Sequence, residues 1–156
     1  MANDLSRPTP SLLYAVKRLE LAIRTHLDEM LRGSGVTTLQ YTALTVLERR
    51  DGTTAAQLAR DSFVTPQAMA DMVRALDQRH LIRRSPNPDN KRELLLYLTE
   101  EGYALLDAYA SAAAGLEDHM VSAFSPEQVD AFRTALTSAW ITLSPERTRA
   151  LTDSAC

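Results

Sequence analysis

The side chains with the clearest potential for chemistry lie between Thr65 and Arg92. Thr65 followed by Pro66 is typical of a helix start, because threonine caps a free backbone N–H and proline has none to cap. Apolar residues then recur at helical spacing and predict one buried stripe: Met69, Met72, Val73 and Leu76. Polar side chains fall on the opposite side of the same helix: Gln67, Asp71, Arg74 and Gln78. This second side is predicted to face water or a ligand.

A β-hairpin with a long tip is predicted after that helix. Its strands are Leu81–Ser85 and Glu93–Leu98, and its tip, Pro86–Arg92, holds the prolines and asparagines that turns favour. Residues 81–92 contain one acid, Asp89, whereas the bases there number four: Arg83, Arg84, Lys91 and Arg92. The whole chain carries a formal net charge of −3. A local basic site on an acidic protein indicates selective contact with nucleic acid rather than general attraction to polyanions.

The elements that must position this stretch are mostly helices. Side-chain caps mark the helix starts that precede the hairpin: Ser11, Thr37, Thr54 and Thr65. Thr37 and Thr54 are each followed three residues later by a glutamine, which predicts two capping boxes. The short helix after Thr54, the turn Ser62–Val64 and the helix at Thr65 together predict a helix-turn-helix. With the hairpin, this unit has the outline of a winged helix.

Long helices are predicted at both ends of the chain, namely Ser11 to about Arg32, Thr99 to about Ser122, and Pro126 to about Leu143. The last of them is expected to bury one face: Phe132, Leu136, Trp140 and Leu143. Together these helices carry more apolar surface than the central unit can cover, which favours a homodimer over a monomeric bundle of the same helices. The dimer is predicted to bury residues from all three: Leu19, Ile23, Leu105, Leu116, Phe132 and Trp140.

The fold class expected is therefore mainly α with a small β-hairpin wing. Residues 1–35 are predicted to form an N-terminal dimerisation helix, and residues 36–98 a winged helix-turn-helix lobe that binds DNA. Residues 99–156 are predicted to form the C-terminal dimerisation helices. An apolar fraction of 45% is ordinary for a chain that buries a core.

Several function classes fit the sequence poorly. The apolar runs are far shorter than the roughly 20 residues that span a bilayer, and the N-terminus lacks a signal pattern, so we expect a cytoplasmic protein without a membrane contact. The one cysteine, Cys156, cannot form an internal disulfide, which fits a reducing compartment. No HExxH pair, phosphate-binding glycine loop or GxSxG turn appears, so we expect neither catalysis nor a cofactor.

A zinc site is an alternative for one polar segment. Glu117, Asp118 and His119 together with His26 have suitable ligand types, and such a site would make the protein metal-responsive. Adjacent residues on a helix point in different directions, so the sequence favours a solvated charged turn.

The chain resembles the MarR family of bacterial regulators (multiple antibiotic resistance regulator). Three stretches carry the resemblance, in this order and spacing: Thr37–Leu47, Gln57–Arg92 and Leu96–Leu106. The resemblance implies an obligate homodimer of six-helix chains with the wing between the fourth and fifth helices. It also implies operator binding, usually repression, and relief by a small ligand or by oxidation. Two places depart from the family pattern: Asn90 stands where an acid is common, and Arg74-Ala75 where Asp-Arg is frequent.

DNA contacts are predicted from this arrangement, because a recognition helix inserts its first turns into the major groove. The predicted contact residues are Thr54, Thr65, Gln67, Ala68, Asp71, Arg74, Asn90, Lys91 and Arg92. Gln67 has the groups to pair with adenine. Asp71 is expected either to accept from cytosine N4 or to form a salt bridge with Arg74 or Arg60. Lys91 and Arg92 are expected at the minor groove or its phosphates, with a solvated charge pair as the alternative.

The regulatory input is less specified by the sequence. The resemblance implies a ligand cleft, and a small aromatic or phenolic effector would meet these candidates: His26, Met30, Tyr41 and Tyr109. Plain packing is the alternative for each. Redox control through Cys156 is a weaker hypothesis, because no nearby base lowers the pKa of that thiol. A winged helix that binds only proteins is a further alternative, and it predicts that Lys91 and Arg92 do not affect DNA affinity.

Overall fold

A computed structural model describes residues 9–144 of the chain. The helices in that range are α1 Leu12–Met30, α2 Thr38–Arg49, α3 Ala55–Asp61, α4 Pro66–Gln78, α5 Glu100–Met120 and α6 Pro126–Leu143. The strands are β1 Thr53–Thr54, β2 Ile82–Pro86 and β3 Leu94–Leu98. The mainly helical fold with a small hairpin is confirmed. Cys156 lies outside the described residues.

Side-chain caps start the helices as predicted. The four predicted caps precede helices α1 to α4: Ser11, Thr37, Thr54 and Thr65. Ser125 caps α6 in the same way and forms a complete capping box with Gln128. The capping box of Thr37 with Gln40 is complete. At Thr54 only half of the predicted box forms: the hydroxyl accepts from the N–H of Gln57 at 3.2 Å. The side chain of Gln57 instead donates to Asp61 at 2.9 Å, because that carboxylate lies one turn further along the same helix.

The hairpin is confirmed, with both strands beginning one residue later than predicted. Cross-strand pairing runs from Ile82 opposite Leu98 to Pro86 opposite Leu94. A third strand, β1, pairs antiparallel with β3 and gives the sheet order β1-β3-β2. The sequence did not predict this strand, because two residues are too few to show an alternating pattern.

The core lies in the winged-helix part of the chain. Its fully buried large side chains come from α2, α3, α4 and the sheet: Leu44, Leu47, Leu58, Met69, Leu76, Ile82 and Leu96. The predicted α4 stripe is confirmed, since Met69, Met72, Val73 and Leu76 are all buried. The N-terminal half of α4 therefore presents its other side outward.

The described chain divides into two compact units, one up to Ala114 and one from Gly115 onward. In the second unit the predicted buried face of α6 is wrong for the single chain: Trp140 is 52% and Leu143 is 76% exposed, and Leu136 is exposed as well. In the first unit α1 also has no buried residue, and Leu12 is 84% exposed. Helical periodicity shows which residues share a face of a helix but not what covers that face. In the single chain the apolar faces of α1 and α6 are exposed. No helix in residues 9–144 is long and apolar enough to cross a membrane.

Ser62, at the C-terminal end of α3, carries a buried hydroxyl without a hydrogen-bond partner among residues 9–144. The residue is 2% exposed. We expect Ser62→Ala to raise the free energy of unfolding by about 1 kcal/mol, because it removes an unsatisfied buried polar group. Urea unfolding at fixed protein concentration measures this change. The same substitution at Ser125, whose hydroxyl caps α6, should lower the free energy by about 1 kcal/mol. A less stable Ser62→Ala variant would contradict the prediction.

Candidate nucleic-acid interface

The start of α4 is built to present polar groups outward. The hydroxyl of Thr65 accepts from the N–H of Ala68 at 3.2 Å, while Val64 packs against the core. Gln67 and Ala68 are exposed, and the side chain of Gln67 makes no hydrogen bond within the described chain. The helix N-terminus also supplies backbone N–H groups that favour phosphate. Hydrogen-bonding capacity in this first turn is thus available to a ligand.

Asp71 and Arg74 form an ion pair on the exposed side of α4, with 3.4 Å between Oδ1 and the guanidinium nitrogen. This is one of the two predicted alternatives for Asp71, whereas Arg60 contacts Gln57 on its own helix instead. An exposed pair of this kind contributes at most about 1 kcal/mol. Arg74 can therefore exchange Asp71 for a phosphate at low energetic cost.

The four bases of residues 81–92 divide into two kinds. Arg83 lies over the ring of Tyr97, its cross-strand partner, at 4.3 Å from the ring centre. Arg84 donates from Nε to Oδ2 of Asp77 at 3.1 Å, which ties β2 to the last turn of α4. Lys91 and Arg92 are exposed, and their side chains have no partner within residues 9–144. Only these last two are free to meet a polyanion.

Gly52 makes room for the ring that Arg83 covers. It has a φ of +77°, and a Cβ placed there would lie 3.1 Å from the ring of Tyr97. A side chain at Gly52 would therefore displace the ring and disturb its contact with the Arg83 guanidinium. The stack fixes β3 against β2 at the end remote from the tip.

Two asparagines order the tip of the wing. Asn87 accepts from the N–H of Asp89 at 3.0 Å and donates from its amide to Glu93 at 3.2 Å. Asn90 accepts through its side-chain oxygen from the N–H of Arg92 at 3.2 Å. These are the side-chain-to-backbone bonds by which asparagine stabilises turns. Asn90 thus holds the backbone that carries Arg92, which is how this wing is fixed without an acid at that position.

Comparisons with known proteins show which proteins are similar to this chain. The model of the MarR family matches residues 36–94. The HTH-type transcriptional repressor Rv2887 of Mycobacterium tuberculosis is 26% identical over 123 residues, which are 79% of this chain and 88% of that protein. The repressor NicR of Pseudomonas putida is 30% identical over 83 residues, which are 53% of this chain and 52% of that protein. Residues 36–94 therefore form a MarR-family domain. The chain is a DNA-binding transcriptional regulator.

Solved structures agree on the fold of this MarR-family protein. The S. aureus MepR–DNA complex matches with a TM-score of 0.76 and 23% identity, covering 86% of this chain and all of that one. The repressor CouR bound to a 23-mer DNA duplex matches with a TM-score of 0.74 and 25% identity, covering 83% of this chain and 92% of that one. The winged-helix fold predicted from the sequence is confirmed.

All the predicted DNA-contact residues of the MarR-family protein lie in the unit that ends at Ala114. Five are on or beside the first turns of α4: Thr65, Gln67, Ala68, Asp71 and Arg74. Three are at the wing tip: Asn90, Lys91 and Arg92. Thr54 is apart from both groups and half-buried at the start of α3; the other eight are exposed. Their contacts with DNA remain a prediction.

Asp71 provides a test of how α4 meets DNA. We expect Asp71→Ala to raise DNA affinity by about fivefold, because it removes a charge that repels phosphates and frees Arg74. Asp130→Ala, which removes the same charge from exposed α6, should leave affinity unchanged. Titration of labelled duplex by fluorescence anisotropy measures both. A loss of affinity confined to duplexes with one particular C·G pair would instead show that Asp71 contacts cytosine.

Three of the four predicted effector residues occupy packing positions in the MarR-family protein. Tyr41 is part of the buried core, and Met30 and Tyr109 pack against it, whereas His26 is exposed. Burial raises the pKa of Tyr41, and the nearby charge of Glu48 raises it further. A neutral buried phenol is what a packing role requires.

A groove of about 200 Å³ lies elsewhere, in the second unit, between the end of α5 and α6. Its walls are mainly apolar and include Met120, Phe132 and Leu136. Glu117, a ligand in the zinc alternative, forms an ion pair with Arg133 at 3.0 Å beside it. Residues 9–144 contain no group of three His, Cys, Asp or Glu side chains arranged to hold a metal ion.

Sequence reasoning missed the residues that position the wing. The Arg83–Tyr97 contact follows from strand register, and the Arg84–Asp77 pair joins residues seven apart across the α4–β2 turn. Pairing the predicted strand ends, Ser85 and Glu93, would have placed Arg83 opposite Leu95, two residues from its observed partner Tyr97. No sequence signal separates Arg84 from a base that is free to bind.

Proposed function

We propose that this protein is a homodimeric repressor that binds a pseudo-palindromic operator in the cytoplasm and is released by a small ligand. The observation that carries the proposal is the availability of Lys91 and Arg92 on an ordered wing tip, together with the exposed polar side chains in the first turns of α4. Two neighbouring bases, Arg83 and Arg84, are already engaged within the fold. The wing therefore presents positive charge where a phosphate or a minor groove is expected.

The homodimer is supported by the uncovered apolar faces of the long helices. Leu12 and Leu13 on α1, and Trp140 and Leu143 on α6, are more than half exposed. A second copy would bury such faces by the same contacts on each side of a two-fold axis. We assign residues 1–35 and 99–156 to dimerisation and residues 36–98 to DNA binding.

Operator binding would place one α4 helix in each of two successive major grooves. The two-fold axis makes the half-sites inverted copies about 10 bp apart. Gln67, in the first turn of α4, would pair with adenine, and Thr65 and Ala68 are its neighbours in the same turn. Lys91 and Arg92 would then reach the flanking minor groove or phosphates, and Thr54 a backbone phosphate.

Release is assigned to a small aromatic or phenolic effector. The candidates for its site remain His26, Met30, Tyr41 and Tyr109. Since three of these pack in or against the core, an effector would have to open that packing, and the opened state would differ from the one described here. Such a change gives the effector the differential affinity that release of DNA requires.

The test is a titration of the full chain against the DNA immediately upstream of its own coding region, at several salt concentrations. We expect specific binding with a steep salt dependence and two chains per duplex. Binding no tighter than to random DNA, followed by failure of a selection from random duplexes, would overturn the proposal in favour of a protein-contact function. Binding by one chain per duplex would overturn the dimer alone.

A further inference from the structure

Phe63 has an unusual combination of exposure and backbone conformation. It lies in the turn between α3 and α4, its side chain is 73% exposed, and its φ is +59°. The left-handed region is uncommon for residues other than glycine, because the Cβ crowds the following carbonyl. Glycine would take this conformation without strain and would expose no apolar ring.

The local structure explains why the ring points outward. Its two neighbours are directed inward: Ser62 is buried and Val64 packs against the core. The N–H of Val64 donates to Ala59 at 3.1 Å, and that of Phe63 donates to Arg60 at 3.4 Å, which closes the turn on α3. Within residues 9–144 the Phe63 ring makes no aromatic or cation–π contact. In the part of the chain that the structure describes, the ring is therefore largely open to solvent or to a ligand.

The turn leads directly into the part of α4 proposed to enter DNA. Phe63 is two residues before the cap Thr65 and four before Gln67, and the first turn of the helix after it is exposed. We propose that Phe63 is a specificity-determining residue that contacts the 5-methyl group of a thymine in the major groove. This inference rests on the proposed DNA-binding function.

Thymine is the base that matches an apolar ring. A phenylalanine side chain has no hydrogen-bonding group, so it cannot pair with the donors and acceptors of base edges. The thymine methyl is the apolar feature of the major groove, and contact with phenylalanine is one way to recognise it. Burying one methyl group changes affinity by about fourfold. Two half-sites would make the effect of losing both methyl groups about 15-fold.

The experiment uses the full chain and an operator duplex from the upstream region, or one selected from random sequences. Each thymine is replaced in turn by uracil, which lacks only the methyl group, at symmetric positions of both half-sites. We expect one position at which uracil weakens wild-type binding by about 15-fold. For Phe63→Ala the same replacement should change affinity less than twofold. Gln67→Ala should bind more weakly overall but keep the full effect of uracil.

Two further variants separate contact from folding. Phe63→Gly relieves the left-handed strain and should fold at least as stably as wild type, yet it should lose the uracil effect as Phe63→Ala does. Phe63→Leu keeps an apolar side chain and should retain part of the uracil effect. An equal uracil effect in wild type and Phe63→Ala, or no sensitive thymine in a duplex that wild type binds specifically, would overturn the inference while leaving DNA binding intact. If wild type binds no duplex specifically, the proposed function fails and the thymine contact with it.

Discussion

Replacing both Lys91 and Arg92 by alanine is expected to weaken operator binding on the order of 100-fold at physiological salt. The two side chains are exposed on the ordered tip of the wing and have no partner within residues 9–144, so their charge is available to phosphates. Each phosphate contact contributes about 0.9 to the slope of log K against log salt. The slope is negative, and removing four such side chains from a dimer should reduce its magnitude by about 3.6. Titrations at four or more salt concentrations measure both quantities.

The matched control is Lys17→Ala with Arg18→Ala, which removes the same two charges from α1. Lys17 pairs with Glu20 and Arg18 lies over Tyr14, so neither is expected to contact DNA. That variant should keep the wild-type slope within experimental error. An unchanged slope in the Lys91 and Arg92 variant as well would rule out the wing contact. Arg92→Lys alone tests the kind of contact, because lysine keeps the charge but not the planar donors.

Gly102→Ala is expected to lower the free energy of unfolding by about 2 kcal/mol. Gly102 lies in the first turn of α5 and is buried, and a Cβ there would overlap the carbonyl oxygen of Leu81 and approach Leu98 Cδ2 to 3.1 Å. The Leu81 carbonyl also accepts from the N–H of Thr99, so it cannot move without breaking that bond. Overpacking of this kind costs about 3 kcal/mol, and the helix propensity of alanine offsets about 1 kcal/mol of it.

Gly115→Ala provides the control on the same helix. Nothing within the described chain lies within 4 Å of a Cβ at that position. The higher helix propensity of alanine should then raise the free energy of unfolding by about 1 kcal/mol. Urea unfolding of both variants at one protein concentration measures the difference. A Gly102→Ala variant as stable as Gly115→Ala would show that α5 and Leu81 are not in close contact.

Gly102→Ala should also weaken DNA binding, because Leu81 connects α4 to β2. Moving its carbonyl displaces the wing relative to the recognition helix. An operator requires both elements at a fixed spacing, so a folded Gly102→Ala dimer should bind more weakly than wild type and keep its salt slope. This outcome distinguishes a positioning effect from loss of charge at the wing.

Local chemistry allowed much of the fold to be predicted. Thr65 with Pro66, and Ser125 with Gln128, begin α4 and α6 as their caps indicate. The helical spacing of Met69, Met72, Val73 and Leu76 identified the buried side of α4, and therefore the exposed side as well. Caps and periodicity act over a few residues, so a sequence alone contains them.

The wing shows what local chemistry could not predict. Four bases were equivalent in the sequence, yet Arg83 packs on Tyr97 and Arg84 pairs with Asp77, while Lys91 and Arg92 stay available. Which bases are engaged depends on strand register and on the distance between α4 and β2. Both are properties of the tertiary structure, and neither can be predicted from the spacing of residues 81–92.

The sequence by itself determined the order of the elements, the side of α4 that faces outward and the family of the protein, because short-range caps and spacing suffice for each. The tertiary structure decided the engaged bases, the outward ring of Phe63 and the close contact of Gly102 with Leu81. It also showed that α1 and α6 leave their apolar faces uncovered in one chain. Each of these features depends on which residues, distant in sequence, are in contact in the folded chain. Those contacts are determined by the packing of the elements and not by local sequence.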